Sequence, residues 1–309
     1  MGGRVTRAAL AVAALLPALI ATPAATAQTD EPQRVLKREP YYLGLYEAEG
    51  RRRGTVLMLH GGGWRGDQGP RADDIMRDWI DRFVGWGFDV ANLGYRSGLP
   101  GFADALDAFD LLRERAGPKE RICIFGGSAG AQLGLAAAAQ RGRSVDCVID
   151  LLGPPDLADW GSQPGAAIGL QLARKAFGAG RLAELSPINM VDRIDAPVLV
   201  GAAPCDIFIA LSAQERFVDA LNAAGGSARL QVIEPGADVP LGHCNVEEES
   251  FQQFLEVARP FAAGQPLPAE QPRPGDDGSG PNALVVIAVA VAGAGGLYWV
   301  LSRMKSSTA

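Results

Sequence analysis

Histidine is nearly missing from this sequence: 309 residues contain two, His60 and His243. Any imidazole chemistry must use one of them. A basic excess is missing as well. The 29 lysines and arginines are outnumbered by 35 acidic residues, a net charge of −6, so there is no electrostatic case for a nucleic-acid partner. Cysteine stops at four, and no grouping of Cys, His and carboxylates has metal-ligand spacing, which excludes a structural zinc. No internal repeat occurs and no cofactor is implied. What is present is 48% hydrophobic and 21% charged, a balance that excludes collagen-like, coiled-coil and wholly disordered chains and can bury a real core.

Two apolar segments stand apart from the rest. At the start, Arg4 and Arg7 precede an apolar run from Ala8 to Ile20, and Ala25-Thr26-Ala27 supplies small residues for a signal peptidase. The run is short for a span and Pro17 interrupts it, so residues 1–27 read as a signal peptide. Near the other end, Ala283 to Leu301 is 19 residues without a charge, followed by Arg303 and Lys305. At about 1.5 Å per residue this covers roughly the hydrocarbon thickness of a bilayer. Tyr298 and Trp299 sit where an interfacial aromatic belongs. Residues 283–301 therefore read as a transmembrane helix, with 302–309 as a cytoplasmic tail by the positive-inside rule. A processed sorting signal is the other reading of this tail. Residues 264–281 hold five Pro and four Gly, a linker that cannot bury enough surface to fold.

Between the ends, 28–263 is the size of one α/β domain. Thr55 to His60 is a continuous apolar run ending in glycines, as a buried parallel strand should be. Strand-like segments recur at 88–93, 121–125, 145–152, 198–200 and 228–233. Helical patterns lie between or after them at 72–85, 102–115, 128–140, 211–223 and 246–261. In the second helix Ala103, Leu106, Phe109 and Leu112 mark the apolar face. This alternation implies a mostly parallel sheet with helices on both faces. Residues 155–195 lack the pattern and read as an insertion over the carboxyl ends of the strands, where such sheets bind ligands.

Gly126-Gly127-Ser128-Ala129-Gly130 lies between a short strand and an Ala-rich helix, the setting in which G-x-S-x-G carries chemistry. The turn is tight enough that side chains at 126 and 130 would collide with strand and helix. Ser128 is thereby raised with its hydroxyl exposed, at a helix N-terminus that favours negative charge. Alone, the motif is equally an ordinary strand–helix turn with a serine N-cap. His60-Gly61-Gly62-Gly63-Trp64 follows the earlier strand, and its glycines let backbone N–H groups face a developing oxyanion. It lacks the lysine of a phosphate-binding loop. His243 is left as the base, and Asp206, after the strand at 198–200, as the carboxylate that orients it. The order Ser128, Asp206, His243 is that of an α/β hydrolase. Asp238, on the same loop as His243, is the rival acid.

Together, His60-Gly-Gly-Gly-Trp64, Gly126-Gly-Ser-Ala-Gly130, Asp206 and His243 resemble the α/β-hydrolase superfamily, in its HGGG-carrying esterase/lipase branch. Tyr95-Arg96 and Gly153-Pro-Pro-Asp156-Leu157 resemble it too, so the likeness runs from about residue 41 to 261. It implies an α/β-hydrolase fold with a cap-like insertion before the acid. It also implies Ser128 as nucleophile, His243 as base and Asp206 as orienter, with an oxyanion hole from Gly62, Gly63 and Ala129. Two departures stand out. Gly127 sits where hormone-sensitive-lipase relatives carry Asp, and the loop to Asp206 is longer than the usual Gly-x-x-Asp.

Cys205 precedes the acid and Cys244 follows the base. If Asp206 and His243 hydrogen-bond, their neighbours come within the ~4.4–6.8 Å between Cα atoms that a disulfide spans, and an exported chain permits one. A Cys205–Cys244 disulfide is therefore expected, as in some exported polyester- and tannin-cleaving relatives that this region resembles. Cys123 and Cys147 lie in strands flanking the nucleophile helix and read as buried free thiols.

The sequence thus points to an exported, membrane-anchored serine hydrolase with its domain on the extracytoplasmic side. It would act on a small-molecule carboxylic ester, with Trp160, Leu170 and Phe177 as candidate pocket walls. Amide, peptide or arylformamide hydrolysis on the same fold, and a non-catalytic surface binding module, are the alternatives.

Overall fold

The chain enters its sheet through two strands that the hydrophobic pattern does not mark. They are β1 (Arg34–Lys37) and β2 (Tyr42–Tyr46), paired antiparallel to each other. The computed structural model describes residues 31–66 and 71–268. All of these fall in the first of two compact units, residues 1–271. The expectations for 1–27, 283–301 and 302–309, and for most of the linker at 264–281, lie outside the described residues. Among the described residues no helix is long and apolar enough to cross a membrane.

From there strand and helix alternate: β3 (Gly54–Leu59), α1 (Arg71–Gly85), β4 (Phe88–Gly94), α2 (Leu99–Ala116), β5 (Ile122–Gly127), α3 (Ala129–Arg141) and β6 (Cys147–Leu151). After β6 come α4 (Ala166–Phe177), the short α5 (Leu182–Leu185) and 3₁₀ turns, which occupy the stretch without pattern. Then follow β7 (Val198–Ala202), α6 (Leu211–Ala223), β8 (Ala228–Val232), β9 (Pro235–Pro240), β10 (Asn245–Val246) and α7 (Glu248–Ala262). The main sheet has the order β1-β2-β4-β3-β5-β6-β7-β8. Every pair from β4 to β8 in that order is parallel; β2 pairs antiparallel with both β1 and β4, so it alone runs against the other strands.

The middle strands are apolar on both sides because both faces are covered. All six residues of β3 and all five of β6 are buried. One core layer, with Leu57, Leu59, Ile124 and Leu133, lies on the side of α2, α3 and α6. The other, with Val56, Met58, Phe83, Phe125 and Phe254, lies on the side of α1 and α7. Each such side chain contributes about 1.5–3 kcal/mol relative to exposure.

Two expectations need correction. The buried face of α2 keeps Phe109 and Leu112, with Leu106 partly buried against the core, but turns away from Ala103. It carries Asp104, Ala105, Ala108, Phe109 and Leu112, while Ala103 is exposed. The polar residue turns inward because Asp104 accepts the Arg96 backbone N–H at 2.9 Å and meets its guanidinium at 2.6 Å. The second correction is that Cys123 and Cys147 are not free thiols but form a disulfide. They face each other in the parallel register of β5 and β6, with Cα atoms 4.6 Å apart, inside the bridging range. Cys205 and Cys244 are also joined, Cα to Cα 5.8 Å, so no cysteine is free.

The two bridges differ in access. Cys123 and Cys147 are buried within the second core layer, whereas Cys205 and Cys244 are only half-buried. Mild thiol reductant on the folded protein, followed by alkylation and peptide mass analysis, should modify Cys205 and Cys244 alone. Cys123 and Cys147 should label only after denaturant is added. Labelling of the buried pair first would overturn this.

Candidate active site

Ser128 sits on the turn from β5 into α3, and two glycines make that turn physically available. A Cβ at Gly126 would lie 2.5 Å from backbone atoms of Gly130 and Ala131, and one at Gly130 would lie 2.1 Å from the Leu59 carbonyl oxygen. No side chain fits at either point. The serine itself is forced to φ 51°, in the left-handed region that non-glycine residues avoid. It is held there at both ends. Its N–H donates to the Leu151 carbonyl at 2.8 Å, and its own carbonyl accepts from Ala131 N–H at 3.0 Å. Gly127 has open space beside it.

His243 reaches this serine from the far end of the sequence. It lies in a tight turn between β9 and β10, a small antiparallel pair in a stretch whose sequence pattern is that of a loop. Leu241 N–H closes the turn on the Cys244 carbonyl at 3.0 Å. The imidazole Nε2 is 2.9 Å from Ser128 Oγ, and Nδ1 is 2.8 Å from Asp206 Oδ2. Asp206 is buried, and its Oδ1 accepts backbone N–H groups of Phe208 at 2.8 Å and Ile209 at 3.0 Å. That set of acceptors places the imidazole proton on Nδ1 and leaves Nε2 to accept from the serine hydroxyl. The long loop from β7 still brings Asp206 to hydrogen-bond distance of His243. Asp238, the rival, is solvent-exposed on β9 and accepts the Glu248 N–H at the start of α7.

The glycine loop after β3 approaches the same point. A Cβ on Gly61 would stand 3.2 Å from the Gly127 carbonyl and 3.3 Å from Ser128 Cβ, so the closest approach belongs to a glycine that the sequence reading did not single out. Gly62 and Gly63 follow at φ 106° and 64°. Ala129, just after the serine, is buried at the start of α3. Tyr95 supports this loop from beneath. Its hydroxyl donates to the His60 carbonyl at 2.7 Å, and its ring stacks on His60 with centroids 4.1 Å apart. His60 itself is buried with Nδ1 2.6 Å from the Gly61 carbonyl, which gives it a place in the loop's frame.

Other contributors were not foreseen. Gln132, the one polar residue among the apolar ones of α3 from 129 to 139, accepts Trp64 Nε1–H at 2.9 Å and donates to the Leu185 carbonyl at 2.8 Å. One amide thus ties the glycine loop, the serine helix and the insertion. Its signal in the sequence was that polarity in an alanine run. Phe208 lies edge-on to His243 with ring centroids 5.0 Å apart. Trp160 and Phe177 pack edge-on against Trp64, and Leu170 packs partly buried against the first core layer, so these three brace the insertion. Asp150, in β6 opposite Gly126, is fully buried with Oδ1 accepting Gly153 N–H at 2.8 Å. Burial outweighs that bond and pushes its carboxyl up to about 7. Among the described residues no group of three or more His, Cys, Asp or Glu could hold a metal ion.

Residues 43–221, more than half of the chain, match the BD-FAE family model. Among solved structures, esterase 2 of Thermogutta terrifontis phosphonylated by sarin aligns at 20% identity and TM-score 0.59, over 74% of this chain and 92% of its own. The propionate-bound form of that Planctomycetes esterase aligns at 22% identity and TM-score 0.56, over 74% and 92%. A puromycin hydrolase aligns at 19% identity and TM-score 0.58, over 75% of this chain and 39% of its own. No curated protein sequence matches the chain. With the sheet order above, these likenesses establish the α/β-hydrolase fold, a mostly parallel central sheet flanked by helices.

Two predictions follow from the supports. Asp150 is held above its unfolded value of about 3.9, so its contribution to stability is full below about pH 4 and is lost as pH rises to about 7. Asp150→Asn cannot ionise. The Tm of the wild type relative to this variant should therefore fall between pH 4 and 7.5, and a constant difference would refute the titration. Tyr95→Phe keeps the stacked ring and removes the bond to His60. It should cost about 1 kcal/mol in denaturant unfolding. It should also slow phosphonylation of Ser128 about tenfold through a loosened glycine loop. Unfolding and labelling rates equal to the wild type would show that the bond positions nothing.

Proposed function

This chain belongs to the BD-FAE family, and from that premise we propose that it is a serine carboxylic-ester hydrolase working through Ser128, His243 and Asp206. The observation that carries the reading is the unbroken line of hydrogen bonds from Ser128 Oγ through His243 to Asp206, at 2.9 and 2.8 Å. The spacing is what a nucleophile, its base and the base's orienter require.

In the proposed reaction Ser128 Oγ attacks the ester carbonyl carbon as its proton passes to His243 Nε2. Asp206 steadies the imidazolium, as the buried acid of such a triad does. Negative charge collects on the carbonyl oxygen, where backbone N–H groups of Gly62, Gly63 and Ala129 would receive it. The carbon–alkoxide bond then breaks, and the alcohol leaves with the proton from His243. Water repeats the sequence: it gives a proton to His243, attacks the acyl carbon and releases the acid, and Ser128 recovers its proton.

The reading extends to place. Residues 1–27 and 283–301 support an exported chain, anchored by its C-terminal segment with the domain outside the cytoplasm. Four cysteines in two disulfides suit an oxidising compartment.

Ser128→Ala should abolish both p-nitrophenyl ester release and fluorophosphonate labelling while leaving the thermal unfolding transition in place. Labelling without release on any ester would move the reading to amide substrates. A folded wild type that neither labels nor turns over would leave a binding module.

A further inference from the structure

Helix α4 crosses the site from the acid loop to the glycine loop, and the contacts at each end fix its place. At its start, Gly165 N–H donates to the Ile207 carbonyl at 2.7 Å, and a Cβ there would lie 2.5 Å from the Phe208 ring. About two turns further on, Leu172 overlies the glycine loop: its Cδ1 is 3.0 Å from where a Gly63 Cβ would stand. At its end, the Ala176 carbonyl presses on Gly98 and Phe177 packs on Trp64 with centroids 5.3 Å apart. Twelve residues at about 1.5 Å each span about 18 Å, so the helix reaches across the gap between the acid loop and the glycine loop; Ser128 stands against both sides of it, its hydroxyl 2.9 Å from His243 Nε2 and its Cβ 3.3 Å from where a Gly61 Cβ would stand. Ile168 precedes Leu172 by four residues and shares its face. It is 40% exposed, the one large hydrophobic side chain left exposed among the described residues.

Proton delivery divides an ester between the two ends of this gap. His243 must hand its proton to the leaving oxygen, so the alcohol part lies on the His243 side, where Phe208 packs. The carbonyl oxygen turns toward the glycine loop and the start of α3. The acyl chain is left with the direction away from His243, along the glycine loop and under Leu172.

We propose that α4 selects the acyl group: Leu172 closes the acyl subsite beside Gly63 and limits chain length, and Ile168 is its apolar outer lip. Phe208 meets the alcohol instead. This assignment rests on the serine-ester reading above. The substrate class it names is an ester with a short apolar acyl chain, with latitude in the alcohol.

The test uses the full chain and two substrate series. In the first, p-nitrophenyl esters of two, four and eight carbons vary the acyl part at constant alcohol. In the second, acetates of methanol, butanol and phenol vary the alcohol at constant acyl part. Leu172→Ala should raise the eight- to two-carbon ratio of kcat/KM at least tenfold and leave the alcohol series in its wild-type order. Leu172→Phe should lower the ratio. Ile168→Ser, at an exposed position, should lower it about threefold. Phe208→Ala should reorder the alcohol series and leave the acyl ratio within twofold. The assignment is overturned if Leu172→Ala and Ile168→Ser both label normally with fluorophosphonate yet keep the wild-type acyl ratio, or if they shift the alcohol series instead. If the wild type itself neither labels nor cleaves any ester, the serine-ester reading falls first and takes this one with it.

Discussion

The serine turn can exist only where two backbone segments touch with nothing between them. Gly130 stands against the Leu59 carbonyl and Gly126 against the first turn of α3, and this contact holds Ser128 in a backbone conformation it would otherwise avoid. Strain of this kind costs about 1–3 kcal/mol and persists only when its surroundings over-determine it. Here they do. β5 is flanked by β3 and β6 in a fully buried parallel sheet, a disulfide joins it to β6, and the serine N–H is taken by the Leu151 carbonyl. The hydroxyl is thus aimed by the core rather than by the loop that carries it.

The other members of the site are aimed differently. The glycine loop is held by side chains, with Tyr95 beneath it and Gln132 beside it. Asp206 and His243 sit on segments outside the eight-stranded sheet's register, and the Cys205–Cys244 bridge joins their neighbours. Core packing, polar struts and a covalent tie therefore each position one part of the same hydrogen-bonded line.

How much of this was legible in the sequence depends on whether the signal was local. The buried strands at 54–59, 88–94 and 122–127 announced themselves as apolar runs, and the helix at 211–223 by its period. Ser128, Asp206 and His243 could be named from motif, strand ends and scarcity of histidine. What stayed hidden was pairing across long separations. β1 and β2 form an edge whose alternation is too short to read. The β9–β10 pair is rich in proline and glycine, the composition of a loop. The Cys123–Cys147 bridge depends on strand register, which an apolar pattern leaves open. α2 was rotated because the partner of Asp104 lies in the preceding loop.

The hydrogen bond between Ser128 and His243 joins residues 115 apart in sequence, with α3, a helix-bearing insertion, four strands and α6 between them. A contact across so long a loop closes against chain entropy. Until β9 and β10 are in place the Ser128 hydroxyl stands on its turn without the His243 imidazole within hydrogen-bond reach. A chain caught part-way through synthesis therefore has the serine turn before it has the hydrogen-bonded line, which is complete only with the last quarter of the domain.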